Sequence, residues 1–254
     1  MVSRREKGGG PDDGSTRERL IDAAVAVLAE EGPGEMKVRR ISEKAGSSTI
    51  TVYHHFGNVS GLLDAVVARG YSTLTQALSD AAASNDDPGT QLFALALGVR
   101  DFARRNPHLY DLMFGLSPRG AYRASAPPVP HQYFREAYDV LVRTCHGLVT
   151  AGRVDVDDPE QMAAQLWSLV HGFVSLEAAG HFAQHGDPVA NVLAPMAIAQ
   201  LVGIGDDRAR ATRGALAAYE MWIVHADGST PGTDTPAPPL TCGLDLPDTP
   251  HEGQ

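Results

Sequence analysis

The stretch that decides the fold runs from Val38 to Phe56 and reads V-R-R-I-S-E-K-A-G-S-S-T-I-T-V-Y-H-H-F. Its first part, Val38 to Ala45, places apolar residues along one stripe of a short helix. Gly46 then permits the left-handed backbone that ends a helix and lets the chain turn. In the second part, Val52 and Phe56 share the inward face of another helix. Two short helices joined by a glycine turn predict a helix-turn-helix, whose second helix fits the major groove of DNA.

The outward side of this second helix is rich in hydroxyl, imidazole and phenol groups and carries no acid. Ser47 or Ser48 is expected to cap the helix by accepting a hydrogen bond from a free backbone N–H. Hydroxyls and imidazoles bind phosphates and base edges, and the methyls of Ile or Thr fit a thymine methyl. An ordinary helical hairpin with a polar outer face is the alternative interpretation of this pattern. The outward residues are Thr49, Ile50, Thr51, Tyr53, His54 and His55.

The composition sets limits on the kind of protein. The chain has 254 residues and a formal net charge of −10, which argues against non-specific coating of nucleic acid. Its two cysteines, Cys145 and Cys242, cannot form a disulfide framework or a cysteine-based zinc site. The charged, Gly-rich start does not resemble a signal peptide. We therefore expect a cytoplasmic protein with no membrane span, no metal and no cofactor, and the absence of a phosphate-binding loop or nucleophile elbow argues against an enzyme.

Apolar periodicity along the rest of the chain is helical almost throughout, which predicts an all-α fold. The predicted organisation is an N-terminal three-helix domain that contains the helix-turn-helix, followed by a helical bundle for ligand binding and dimerisation. A long helix from Val59 to Ala83 is expected to connect the two. The predicted boundaries are 1–14 for a disordered arm, 15–60 for the DNA-binding domain, 61–225 for the bundle and 226–254 for a disordered acidic tail.

The pattern V-x-x-I-x-x-x-A-G, then S-x-x-T-V-Y-H-H-F, then L-L-D-A-V resembles the DNA-binding domain of TetR-family transcriptional regulators. The resemblance implies that the second helix reads operator DNA in a dimer while the rest of the chain senses a small molecule. Two positions depart from the family pattern: Lys37 replaces the usual Thr or Ser cap, and Val59 replaces a Lys. The residues predicted to contact DNA are Lys37, Arg39, Ser48, Thr49, Ile50, Thr51, Tyr53, His54 and His55.

A second resemblance concerns the ligand. The run from Trp167 to Gly172 resembles the W-x-x-x-H-G signature of one ligand-sensing class of the TetR family, and the segment from Asn106 to Phe114 is similar to that class as well. Trp167 and His171 share one helical face and could line a mostly apolar pocket. The alternative is that both residues only pack in the core. The predicted ligand-binding residues are Phe102, Tyr110, Met113, Phe114, Trp167 and His171.

Two uncharged or nearly uncharged helices, Gln161 to Phe182 and Val189 to Val202, predict a homodimer through a four-helix interface. A last amphipathic helix from Asp206 to Val224 suggests no role beyond covering the core or extending the dimer contact. The sequence thus favours a dimeric, ligand-responsive repressor on a near-palindromic operator. The alternatives are a helical small-molecule-binding protein with a non-functional helix-turn-helix, and a regulator with no ligand that acts through a protein partner.

Overall fold

The structure is a computed structural model, and it describes residues 11–114 and 131–227. Within these ranges the chain is helical and contains no strand, so the predicted all-α fold is confirmed. The α-helices are α1 Pro11–Glu31, α2 Val38–Lys44, α3 Thr49–Phe56, α4 Val59–Ala83, α5 Pro88–Arg105, α6 Pro107–Phe114, α7 His131–Thr150, α8 Pro159–Ala178, α9 Ala194–Gly203 and α10 Arg208–Asp227.

Most helices begin and end within a few residues of their predicted positions. Helix α1 includes four residues, 11–14, of the predicted N-terminal arm. The rest of that arm, and residues 228–254 of the predicted tail, lie outside the described residues. No helix in the described part of the chain is long and apolar enough to cross a bilayer.

One prediction needs correction. The expected continuous helix from Val189 to Val202 begins instead with a π-helical turn, Val189–Leu193, before α9 starts at Ala194. The N–H of Ala194 donates to the carbonyl of Val189, one residue further back than in an α-helix. Pro195, next in the chain, has no N–H to restore the α-helical bonding at that position. The turn is therefore widened here.

The described residues divide into two compact units. The first unit takes in residues 11–74, 102–114 and 131–137, and the second takes in residues 75–101 and 138–227. Helices α4, α5 and α7 each have residues in both. In the first unit α1 packs against α2 and α6, and α2 packs against α3. Its core is apolar and includes the fully buried side chains of Leu20, Val27, Ile41, Val52 and Leu62.

The second unit has a core of its own that includes two ion pairs. In α5, Arg100 is buried and forms a two-pronged contact with the carboxylate of Glu177 in α8, with N–O distances of 2.6–3.0 Å. Arg153, after α7, forms a similar contact with Asp206 before α10, at 2.7 and 2.8 Å. Its third nitrogen donates to Asp87 before α5 at 2.6 Å. These arginines therefore tie together segments that are far apart in the sequence.

Candidate nucleic-acid interface and ligand-binding residues

The turn between α2 and α3 is built as the sequence indicates. Helix α2 ends at Lys44, and Gly46 adopts a φ of +61°, a conformation that favours glycine. The N–H of Ser47 donates to the carbonyl of Ser42 at 2.9 Å and closes the end of α2. Ser48, one of the two predicted caps, accepts a hydrogen bond from the backbone N–H of Thr51 at 3.2 Å. The start of α3 is thereby fixed relative to α2.

Helix α3 has one buried side and one exposed side. Val52 is fully buried beneath it, whereas 79% of Ile50 and 52% of Tyr53 are exposed. Of the other predicted DNA-contacting residues, Ser48, Thr49 and His54 are exposed, and Thr51 and His55 are half-buried. The hydroxyls of Ser48 and Thr51 also lie 2.9 Å apart, so the Ser48 hydroxyl contacts both the backbone N–H and the side chain of Thr51.

Phe56, at the end of α3, is held by neighbours on two sides. The guanidinium of Arg17 from α1 lies 5.3 Å from the centre of the Phe56 ring, within range of a cation–π interaction. Helix α4 then approaches so closely that a Cβ added to Gly61 would lie 2.2 Å from the carbonyl oxygen of Phe56. The side chain of Asn58 accepts a hydrogen bond from the Gly61 N–H at 2.9 Å. Only a glycine fits this junction between α3 and α4.

Four cations lie on α2 or directly before it, and each of them has an acidic partner within the first unit. Lys37 makes no side-chain cap for α2, as its departure from the family pattern implies, and instead contacts Glu35 at 3.0 Å. Arg39 contacts Glu43 at 2.9 Å one helical turn away. With 88% of its side chain exposed, Arg39 is the more accessible of the two.

Two further cations on α2 were not among the predicted contacts. Arg40 forms a two-pronged contact with Glu31 of α1, and this hydrogen-bonded pairing lowers the pKa of the Glu31 carboxyl. Lys44 contacts Glu30 at 2.6 Å. These pairs run between helices, so they also hold α2 against α1.

The predicted ligand-binding residues fall into two groups, one in each unit. Phe102, Tyr110 and Phe114 pack as a ring cluster in the first unit, with Tyr110 and Phe114 at 4.6 Å between centroids. Tyr71 donates a hydrogen bond to the carbonyl of Met113 at 3.0 Å, and burial raises the pKa of Tyr71 to about 12. These side chains form part of that unit's core.

Trp167 and His171 lie on α8 in the second unit. Their rings are nearly parallel at 6.4 Å, and Tyr138 of α7 meets the Trp167 ring edge-on at 6.3 Å. Burial lowers the pKa of His171, because a partly dry environment disfavours the imidazolium. Trp167 also borders a small cavity of about 30 Å³, close to the size of a single water molecule.

A larger cavity was not anticipated from the sequence. It has a volume of about 310 Å³ and lies within the second unit, between α5, the π-helical turn, α9 and α10. None of the six predicted ligand-binding residues borders it. Its walls come from segments about a hundred residues apart in the sequence. One of them is the last helix, for which the sequence suggested no ligand-binding role.

A capped helix-turn-helix that precedes a larger helical unit defines a class of small DNA-binding regulators. Comparison with known proteins identifies the family. Residues 20–66 match the family described as bacterial regulatory proteins, tetR family, and residues 92–201 match the tetracyclin repressor-like C-terminal domain. The chain belongs to the TetR family of bacterial regulators. The finer resemblance to a W-x-x-x-H-G class stays a prediction.

Individual relatives cover the chain unevenly. The HTH-type transcriptional regulator BetI of Stenotrophomonas maltophilia is 36% identical over 91 residues, which are 35% of this chain and 46% of that protein. The chain thus spans about half the length of these curated relatives.

Two solved structures have the same fold over most of the chain. A Rhodococcus sp. RHA1 protein of unknown function is 24% identical, with a TM-score of 0.65 over 80% of this chain and 100% of its own. RolR in complex with resorcinol is 22% identical, with a TM-score of 0.53 over 80% of this chain and 94% of its own.

Proposed function

We propose that this protein is a homodimeric, ligand-responsive transcriptional repressor that a small, largely apolar effector releases from a near-palindromic operator. The exposed face of α3 is the observation that carries the proposal. Ile50 stands 79% exposed beside hydroxyl and imidazole side chains, on a helix fixed by a cap and by the buried Val52. Base edges in the major groove offer the matching mixture of hydrogen-bonding groups and thymine methyls.

The proposed division of labour follows the order of residues along α3. Thr49, Ile50 and Thr51, at its start, would contact bases, because the first turn of a recognition helix points into the groove. Tyr53, His54 and His55 would contact phosphate or sugar, and Lys37, Arg39 and Ser48 would add contacts to the backbone. Phosphate contacts of this kind position a protein on DNA without reading its sequence.

A second copy of the chain would supply the second recognition helix. Between residues 161 and 203 the sequence has no Lys or Arg, and its only carboxylates are Glu177 and Asp187, each engaged within the second unit. Leu176 of α8 and Met196 of α9 are exposed by 47% and 38%. An uncharged surface with exposed apolar side chains suits a two-fold helical interface. Such a dimer would place two copies of α3 in half-sites about 34–36 Å apart.

The effector response would act through a shift between two populations of the protein. An effector shifts such an equilibrium only by its difference in affinity for the two states. Helix α4 starts beside α3 and continues into the second unit, so it is the element proposed to carry the change. RolR, which was solved with resorcinol, supports a small organic effector for this fold. The predicted residues Phe102, Tyr110, Met113, Phe114, Trp167 and His171 are proposed to take part in the response.

Fluorescence anisotropy with DNA from upstream of the protein's own reading frame tests this function. Light scattering on the same sample gives the oligomeric state. Wild type should bind this DNA more tightly than an unrelated duplex, with affinity that falls steeply as salt rises. Tyr53→Ala should weaken binding to both duplexes, and Ile50→Ala should reduce the preference between them by roughly tenfold, the effect expected for a lost base contact.

A matched control is available on α10. Val224 is 72% exposed, so Val224→Ala removes a comparable exposed aliphatic group from a helix of the other unit. This variant should bind DNA as wild type does. If genome-wide selection of bound fragments enriches no sequence, or if wild type and both α3 variants bind every duplex equally weakly, the protein is not an operator-binding regulator. It would then fit the alternative of a small-molecule-binding protein whose helix-turn-helix is idle.

A further inference from the structure

The cavity of about 310 Å³ in the second unit is large enough to hold a small organic molecule, at the lower end of the usual range for ligand pockets. It is bordered by one face of α5, by the π-helical turn with α9, and by α10. It is therefore a separate feature from the cluster of aromatic residues in the first unit and from the Trp167–His171 pair.

The body of the cavity is apolar. Phe93 and Leu97 of α5, Leu193 and Ile198 on the α9 side, and Leu216 of α10 all line it. An aliphatic or aromatic ligand body would displace water from these apolar surfaces, and the hydrophobic effect would favour its binding. A strongly polar ligand would find few partners along these walls.

The charged groups of the lining are arginines at the start of α10. Arg208 and Arg213 line the cavity with their helix, and both side chains are exposed to solvent. No carboxylate among the described residues lies within ion-pair distance of either one, whereas Arg210 between them contacts Asp206 at 3.7 Å. A planar guanidinium binds a carboxylate through two parallel hydrogen bonds. Two arginines without an acidic partner in the described part of the chain thus favour a ligand with an acidic head.

The nearby acid does not oppose such a ligand. Asp187, before the π-helical turn, accepts hydrogen bonds from Tyr219 and from the backbone N–H of Val189 at 2.8 Å. Its charge is therefore satisfied within the protein, and it does not line the cavity. Burial and this contact raise the pKa of Tyr219 to about 12, so its hydroxyl stays neutral.

The π-helical turn is an independent indication that this cavity is a binding site. Such turns are rare and concentrate at binding sites, since the extra residue costs hydrogen-bond geometry. Here the widened turn places Val189, Ala190 and Leu193 on the lining of the cavity.

We infer that this cavity binds an organic anion with an apolar body and a carboxylate head, held between Arg208 and Arg213. The inference rests on the proposed function only for its consequence, namely that this anion is the effector. Binding itself requires no DNA and can be measured alone.

Isothermal titration of the full-length protein with decanoate, decanol and decylamine tests the inference, since these probes share a chain and differ in head group. Wild type should bind decanoate at least about tenfold more tightly than decanol, the factor expected for charge-assisted hydrogen bonds, and decylamine least. Arg208→Gln combined with Arg213→Gln should remove this preference. Arg143→Gln, at an exposed arginine of α7, removes one positive charge away from the cavity and should leave the preference unchanged.

A second variant tests the body of the site. Ala209, on the first turn of α10, is a half-buried lining residue. Ala209→Leu should therefore fill part of the cavity and weaken the binding of all three probes by a similar factor. Circular dichroism melts establish that each variant is folded. The inference is overturned if wild type shows no saturable decanoate binding, or if decanoate binds the double arginine variant and Ala209→Leu as it binds wild type. Decanoate binding by a protein that selects no operator would refute the proposed function and leave the site intact.

Discussion

The two units use the same chemistry, arginine paired with carboxylate, at opposite degrees of burial. In the first unit the pairs lie at the surface. Arg39 is 88% exposed beside Glu43, and Arg40 is 47% exposed beside Glu31. In the second unit Arg100 is 4% exposed and Arg153 is 6% exposed, and the partner of Arg153, Asp206, is completely buried.

This difference separates two functions of an ion pair. An exposed pair contributes little to stability, so its arginine can exchange a carboxylate for a phosphate at small cost. A buried pair cannot be opened without leaving an uncompensated charge in a dry environment. The exposed pairs of the first unit can therefore open at small cost, while the buried cations of the second unit tie together segments that are far apart in the sequence.

Arg153→Ala should have the largest effect on stability. It leaves Asp206 buried without the two hydrogen bonds that Arg153 donates, and it also releases Asp87 before α5. We expect a loss of about 3–5 kcal/mol in the free energy of unfolding. Urea denaturation at a fixed protein concentration measures it, because dimerisation would make the midpoint depend on concentration.

Arg210→Ala is the matched control, since Arg210 contacts the same Asp206 from the surface, at 3.7 Å and with 44% of its side chain exposed. Its loss should cost less than about 1 kcal/mol. Equal losses for the two variants would show that burial does not distinguish these ion pairs.

Gly61→Ala tests whether the stability of the first unit depends on close backbone packing between α3 and α4, as the stability of the second unit is expected to depend on buried ion pairs. The new Cβ would lie 2.2 Å from the carbonyl oxygen of Phe56, so α3 or α4 must shift. We expect a loss of about 1–3 kcal/mol in stability, as for overpacked cores, together with weaker DNA binding. Thermal melts and anisotropy measure the two effects.

Gly98→Ala, in the middle of α5, is the control for the glycine change itself. The nearest side-chain atom to its added Cβ would be 3.6 Å away, an ordinary contact. Alanine favours helix over glycine by up to about 1 kcal/mol, so this variant should be as stable as wild type or more stable. DNA binding unchanged by Gly61→Ala would mean that the position of α3 tolerates a shift of its neighbour.

The sequence alone predicted the fold class and the local features of the first unit because their causes are close together in the chain. The turn depends on Gly46. The cap depends on Ser48, which accepts a hydrogen bond from the N–H of Thr51, only three residues later in the chain. The inward position of Val52 follows from helical periodicity. Each of these features can be recognised within a window of about twenty residues.

The cavity could not be predicted in the same way. Phe93, Leu193 and Leu216 read as ordinary core residues, and only folding reveals that the three helices leave a space between them. Apolar periodicity continues through the π-helical turn and predicts an ordinary helix there, although Pro195, two residues after it, is a local sign of altered bonding. The ligand-binding residues predicted from a resemblance instead fell into two groups, which no spacing rule on a single helix could foresee.

The smallest expected effect on stability concerns Arg39, and it tests the availability of the surface cations. Arg39→Gln breaks the exposed pair with Glu43 and should change stability by less than about 1 kcal/mol. If Arg39 contacts a phosphate, the variant should bind all DNA sequences more weakly, and the slope of log affinity against log salt should fall by about 1. Glu43→Gln breaks the same pair from the other side but keeps the cation, so it should leave the slope unchanged or steeper. Identical slopes for wild type and both variants would show that Arg39 does not contact the DNA phosphates.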